Sequence, residues 1–260
     1  MTNPHEDAEL ELLDLAQLEE APPQLVGYLV SDKAINVATI IRMLRQAWQE
    51  IGWTHLEPIQ AYHTFSITTE NAEVAQILRE HSPWSVMGCS FGIHTWPQEA
   101  RLKDLPLHMI AFWVQVHNLP RHHLSLQNAT TIGSAMGTLV EVEDPNSPEG
   151  YRGFLRIRVQ IDSRRPLQTN LRFNRGNPRL KAQFRYERLS DFCYHCGCLG
   201  HTFRFRSQMK EIDDRSIDQS SFMYGDWMRV RVARRILPPR ILNNGALVEP
   251  PMEIEAEHAM

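Results

Sequence analysis

The sequence predicts an α+β fold made of two consecutive mixed units followed by a small cysteine-rich module. Three observations carry that prediction. Apolar residues recur at helical spacing in three short stretches, each preceded by a capping side chain. Between them lie runs that alternate apolar and polar residues or are continuously apolar, as strands do. The order of these stretches, strand-helix-strand-strand-helix-strand and then a second partial round, is that of interleaved strands and helices rather than of a bundle or a sandwich.

Residues 1–23 form an acidic tail with scattered leucines, closed by Pro22 and Pro23. The first unit spans residues 24–100. Gln24 to Val30 is a short apolar run, read as a strand. Val37, Ile40, Ile41, Leu44 and Trp48 follow at three- and four-residue steps behind Asn36, an N-cap, so a helix is expected from Asn36 to Gln49, ended by Gly52. Strands are expected near His55–Ala61 and His63–Thr68, the second with His63, Phe65 and Ile67 on one face. Asn71 caps a second helix running to Glu80, with Val74, Ile77 and Leu78 inward, and Ser85 to Thr95 reads as one strand. This β-α-β-β-α-β order is the ferredoxin-like split βαβ that RNA recognition motifs share, so the unit is RRM-like. Tyr28 and Phe65 fall on the strands where such motifs place stacking aromatics, but no Lys/Arg-Gly-Phe run accompanies them. For Phe65 we expect core packing.

Pro97 to Pro106 is a polar connection to a second, basic βαβββ unit over residues 107–190. Met109 to His117 is a strand, Ser125 to Met136 a helix with Leu126, Ala129, Ile132 and Met136 on one stripe and Gly137 as C-cap, and Thr138 to Glu143 a strand. Asp144 to Gly150 is turn-rich. Further strands are expected near Gly153–Ile161, Leu167–Phe173 and Lys181–Glu187. In the first of these, Leu155, Ile157, Val159 and Ile161 alternate with Arg156, Arg158 and Gln160, giving an apolar face for the core and a cationic face for solvent or phosphate.

Charge is distributed unevenly. The chain has a net charge of −4, yet residues 151–210 hold 14 Lys or Arg against 3 Asp or Glu, a local net of +11. A basic block between acidic ends points to a polyanion, because cations that neutralise phosphates release condensed counterions. Arg156, Arg158, Arg172 and Arg185, with Arg152, Arg164, Arg165, Arg175, Arg179 and Lys181, are the candidates for tracking a phosphate backbone. No run of 18 apolar residues predicts a transmembrane helix, and no membrane partner is expected. Seven acidic and no Lys or Arg residues precede Pro22, the reverse of a secretory or mitochondrial leader, so a cytoplasmic or nuclear location is expected rather than secretion.

Three of the four cysteines cluster at Cys193, Cys196 and Cys198, which reads as metal binding rather than a disulfide framework. Cys193, Cys196 and His201 have the spacing C-x2-C-x4-H of a zinc knuckle over residues 191–206. Two thiolates and an imidazole are three of the four ligands that a structural Zn2+ takes. Arg206 stands where the pattern has its fourth, and a guanidinium cannot ligate. Two readings stay open. In one, Zn2+ binds with reduced affinity, its fourth corner filled by water or by a strained Cys198 or His195. In the other, a knuckle without metal persists as a basic, aromatic loop. In either, Phe192, Tyr194 and Phe203 offer faces for unpaired bases, and Arg204 and Arg206 offer phosphate contacts. Residues 207–260 are read as a largely disordered tail carrying a short aromatic block at 224–229.

Several stretches resemble plant retrotransposon-derived, LINE-type gag-like proteins, in which a domain of unknown function precedes a CCHC zinc knuckle. They are Leu25-Val-Gly-Tyr-Leu-Val-Ser-Asp-Lys33, Phe112-Trp-Val-Gln-Val-His-Asn-Leu-Pro120, Arg156-Ile-Arg-Val-Gln-Ile-Asp162, Phe184-Arg-Tyr-Glu-Arg-Leu189 and the knuckle itself. The block Tyr224–Arg229 also looks like one that follows the knuckle in such proteins. The resemblance implies a nucleic-acid-binding protein whose knuckle packages or chaperones RNA. Arg206 departs from the family pattern. The partner expected is single-stranded nucleic acid, RNA before DNA, with self-association left open. A second function class is a protein-interaction scaffold that has lost zinc and nucleic-acid binding. No G-x-S-x-G, P-loop, H-E-x-x-H or G-x-G-x-x-G motif occurs, and no enzyme is expected.

Overall fold

The structure, a computed structural model, describes residues 24–59, 63–147, 152–173, 180–202 and 223–230. Within them the chain is a mixed α+β protein, mostly strands, with two sheets and three α-helices. The N-terminal tail, most of the C-terminal tail, Arg175, Arg179, Phe203, Arg204 and Arg206 lie outside the described residues.

The first unit runs β1 (Leu25–Val30), α1 (Val37–Trp48), β2 (Thr54–Pro58), β3 (Thr64–Thr69), α2 (Ala72–Glu80), β4 (Trp84–Val86) and β5 (Cys89–Thr95). Both helices start where a side chain satisfies a first-turn N–H. Asn36 Oδ1 accepts from Ala38 N at 2.8 Å, and Asn71 Oδ1 accepts from Val74 N at 2.9 Å. The strands pair antiparallel in the order β2-β3-β1-β5-β4. Ile40, Leu44 and Trp48 of α1 and Val74, Ala75 and Leu78 of α2 close a core over Leu25, Leu29, Phe65, Ile67 and Phe91. Each of the buried Val, Leu, Ile and Phe side chains contributes about 1.5–3 kcal/mol. Phe65 is fully buried there, whereas Val37 is exposed at the start of its helix.

The expected strand Ser85–Thr95 is two strands. Met87 and Gly88, with φ of 51° and 79°, fold it into a tight hairpin between β4 and β5.

The second unit runs β6 (Met109–His117), α3 (Leu126–Met136), β7 (Thr138–Val142), β8 (Leu155–Asp162), β9 (Asn170–Arg172) and β10 (Lys181–Glu187), one strand more after the helix than a βαβββ order has. A late strand, β11 (Arg229–Val230), completes a sheet ordered β11-β10-β6-β8-β7, with β9 also on β10. β11 lies parallel to β10, Tyr186 facing Arg229 and Glu187 facing Val230. The aromatic block expected inside a disordered tail therefore leads, through a 3-10 turn at Asp226–Met228, into an edge strand of this sheet. Alternation sends Ile110, Phe112, Val114, Val116, Leu155, Ile157 and Val159 into a second core, covered by Ala129, Ile132 and Met136 of α3. Leu126, at the start of that stripe, is exposed.

The two units share a seam. Val30 at the end of β1 belongs to the second core, and Tyr28 packs against it. On the opposite face of the second sheet, Arg158 reaches the end of α2, where its Nη2 donates to Arg79 O at 2.7 Å. Arg188 donates to His81 O. The polar face of the second sheet is thus partly roofed by the first unit.

Candidate metal centre and nucleic-acid interface

Chain chemistry builds the knuckle as a short hairpin after β10. Phe192 and Leu199 bridge antiparallel, Cys193 N donates to Cys198 O at 2.9 Å, and Gly197 N donates to Cys193 O at 2.7 Å. Gly197 has φ +75°, and a Cβ there would lie 2.4 Å from the Tyr224 ring, so the turn needs glycine for both reasons. Among the described residues, Cys193, Cys196 and His201 bring their ligand atoms within 4.8 Å of one another. Cys196 Sγ and His201 Nε2 are 3.3 Å apart. A tetrahedral site with ordinary Zn–S and Zn–N lengths sets such a pair about 3.6 Å apart.

The electrostatics around the sulfur act in opposite directions. Burial pushes the Cys193 thiol up, while the backbone N–H groups of Cys196 and His195 point at its sulfur and favour the thiolate. His201 turns its other nitrogen, Nδ1, toward Asp32 Oδ2 at 3.0 Å, off the line of a hydrogen bond but within ion-pair distance. A carboxylate behind a ligating histidine fixes ring orientation and raises ligand basicity. Asp32 lies in the β1–α1 connection, far away in sequence, and no local spacing marks it. The donor set therefore fits Zn2+ through three residues. Cys198 and His195 stand outside the cluster, and the Cys198 thiol instead donates to Cys196 O at 3.8 Å.

The knuckle is welded to its surroundings. Asp32 N donates to Gly200 O at 2.9 Å, Asp191 N to Gly88 O at 2.7 Å and Leu167 N to Gly197 O at 2.9 Å. Phe192, Cys193 and Leu199 are buried. Met228 is buried beside them, and Arg229 pairs with Asp191 at 3.0 Å while lying over the Phe192 ring. Of the three aromatics expected to stack bases, Phe192 is interior, Tyr194 is half-buried at 5.0 Å from it, and Phe203 is outside the described residues.

The expected basic sheet face divides. Arg156 is held in a fork by Glu187 and lies 3.8 Å over the Trp113 ring. Arg158 is buried in the seam beside Glu141, and desolvation draws its pKa below the usual guanidinium value. These two do not form an open phosphate track. Their alternation in β8 is the signal that was read, but it does not say what covers the face. Arg152 pairs with Glu143 at 3.1 Å, and Arg164 and Arg165 pair with Asp162 at 2.8 and 3.6 Å. Arg185 is half-buried, with Nε enclosed and without a hydrogen-bond partner. Arg172 and Lys181 remain exposed on β9 and β10.

Residues 161–207 match a family model described as a zinc knuckle. The match takes in β9 and β10 as well as the cysteine cluster, so it covers a piece of sheet together with the metal-type module. No curated protein matches the chain.

Proposed function

We propose that this protein binds single-stranded nucleic acid, RNA in the first instance, through a zinc-ligated knuckle fixed to a basic sheet. The observation that carries the reading is the coincidence of the zinc knuckle match at 161–207 with three preassembled ligands, Cys193, Cys196 and His201. Bound Zn2+ would cross-link the hairpin, and the chain's own residues would do the recognition. Knuckles of this kind serve single-stranded RNA, whose unpaired bases leave edges and faces free for contact. The local excess of cations over residues 151–210 supports a polyanionic partner.

In the same reading the protein is a gag-like binder of retroelement descent, acting in the cytoplasm or nucleus and without catalysis of its own. The first unit is proposed as ferredoxin-like. The order β2-β3-β1-β5, in which each helix links two strands that are not neighbours, supports that assignment.

Native mass spectrometry of the isolated protein, paired with anisotropy of a labelled single-stranded RNA, tests the reading. One Zn2+ per chain and RNA binding that weakens with salt are the expected results. A folded protein that holds no zinc and binds no RNA would overturn it in favour of a scaffold.

A further inference from the structure

The β9–β10 hairpin presents two cross-strand pairs on one face. Arg172 faces Lys181 and Asn170 faces Gln183, while Leu171 and Ala182 between them turn to the core. Like charges directly opposite on a sheet repel, so the Arg172–Lys181 pair costs stability unless an anion joins it. Neither has an ion-pair partner among the described residues, whereas Arg152, Arg164 and Arg165 each have a carboxylate.

Two large apolar side chains border this polar face. Met223 and Trp227 are 69% and 38% exposed. With Thr169, Asn170, Lys181 and Gln183 they line a recess of about 290 Å³. The platform is anchored. Met228, next to Trp227, is buried in the second core, Arg229 is held by Asp191 and Ser190 O, and Tyr224 lies against the Gly197 turn of the knuckle. An indole face, two side-chain amides and a cation pair with no carboxylate partner among the described residues match the parts of a nucleotide. Aromatics stack bases of any identity, amides pair with base edges, and cations take phosphate.

We propose that this recess takes a nucleotide of a single-stranded polynucleotide, its base on Trp227 and Met223, its base edge toward Asn170 and Gln183, and its phosphate between Arg172 and Lys181. The proposal rests on the nucleic-acid reading above and moves the contact from the knuckle's own aromatics to the block that docks on it.

The test is anisotropy of the full chain with a short labelled oligouridylate, repeated with the oligodeoxythymidylate so that ribose and deoxyribose strands are separated. Trp227→Ala weakens binding about fivefold or more, while Trp227→Phe keeps most of it. The double reversal Arg172→Glu with Lys181→Glu weakens binding more than tenfold and lowers the salt slope by about 0.7, one phosphate's worth. Lys103→Glu, an exposed cation elsewhere, leaves affinity unchanged. Melting temperatures check that every variant is folded, and Lys181→Gln serves if the double reversal is not. Parent-like binding by all the Trp227, Arg172 and Lys181 variants overturns the recess and leaves the proposed function standing. No binding of either strand by the folded parent overturns both. Binding of oligoglutamate in place of either strand assigns the recess to an acidic peptide and overturns it as a nucleotide site.

Discussion

Arg156 and Glu187 grip each other across the second sheet through two parallel hydrogen bonds, Nε to Oε1 at 2.8 Å and Nη2 to Oε2 at 2.9 Å, with each side chain only 10% exposed. They come from β8 and β10 and meet over β6, whose Trp113 stacks beneath the guanidinium and whose Gln115 donates to Glu187 at 3.0 Å. The pair ties three strands together and explains why a cation in an alternating strand is not free for phosphate.

Removing one partner strands the other charge in a nearly closed site. Arg156→Met is expected to cost about 3–5 kcal/mol, because Glu187 is left desolvated and unpaired. The double variant Arg156→Met with Glu187→Met regains most of that loss. Urea unfolding of the parent, both single variants and the double closes the cycle. A single-variant cost under about 1 kcal/mol, the level of an exposed pair, would contradict the burial described. It follows that charge reversal at Arg156 reports folding before it reports nucleic-acid binding.

Asp32 gives the candidate metal centre a handle outside the knuckle. Asp32→Ala removes the carboxylate behind His201 without touching a ligand, and zinc affinity should fall about tenfold. That is the lower end for such partners, chosen because the Asp32 side chain is 70% exposed. Competition against a chromophoric chelator measures it. Unchanged affinity would mean that His201 is oriented by the backbone alone.

Burial pushes the pKa of His94 below its ordinary value of 6.5, with a bond to the Met109 backbone opposing and nearby His108 adding to the shift. His63 and His117 shift the same way, burial being the first cause in each. In the unfolded chain these rings take a proton near their ordinary value, and in the fold they resist it. Their contribution is therefore complete above about pH 6.5 and drains away as pH falls through the lowered folded values. Melting temperature should decline from about pH 7 to about pH 5, and His94→Gln should make the decline shallower. An identical slope in that variant would remove His94 from the account.

Helices were readable because their signals are local. Asn36 and Asn71 cap as their sequence positions suggest, and Ile40, Leu44 and Trp48 repeat at the period that buries one helix face. Lys181–Glu187 is a strand with the bounds expected, since its alternation is unbroken. What was hidden depends on distant partners. Methionine seldom adopts positive φ, so the Met87 turn carried no turn signature. β11 is only two residues long and owes its place to β10, with Met228 beside it in the core. Arg156 and Arg158 read as an open cationic row because nothing near them announces Glu187, 31 residues away, or Arg79, 79 away. The grouping of Cys193, Cys196 and His201 was legible from spacing, while Asp32, which stands behind His201, was not.

The three backbone bonds that fasten the knuckle, from Asp32, Asp191 and Leu167, have a consequence for how a strand would be held. A metal module on a flexible tether finds its ligand separately from the body it hangs from, and its gain depends on the effective concentration that the tether allows. Here there is no slack to tune. If the proposed strand touches both the knuckle and the β9–β10 face, it would meet them at one fixed spacing, as on a ruler rather than on two beads of a string.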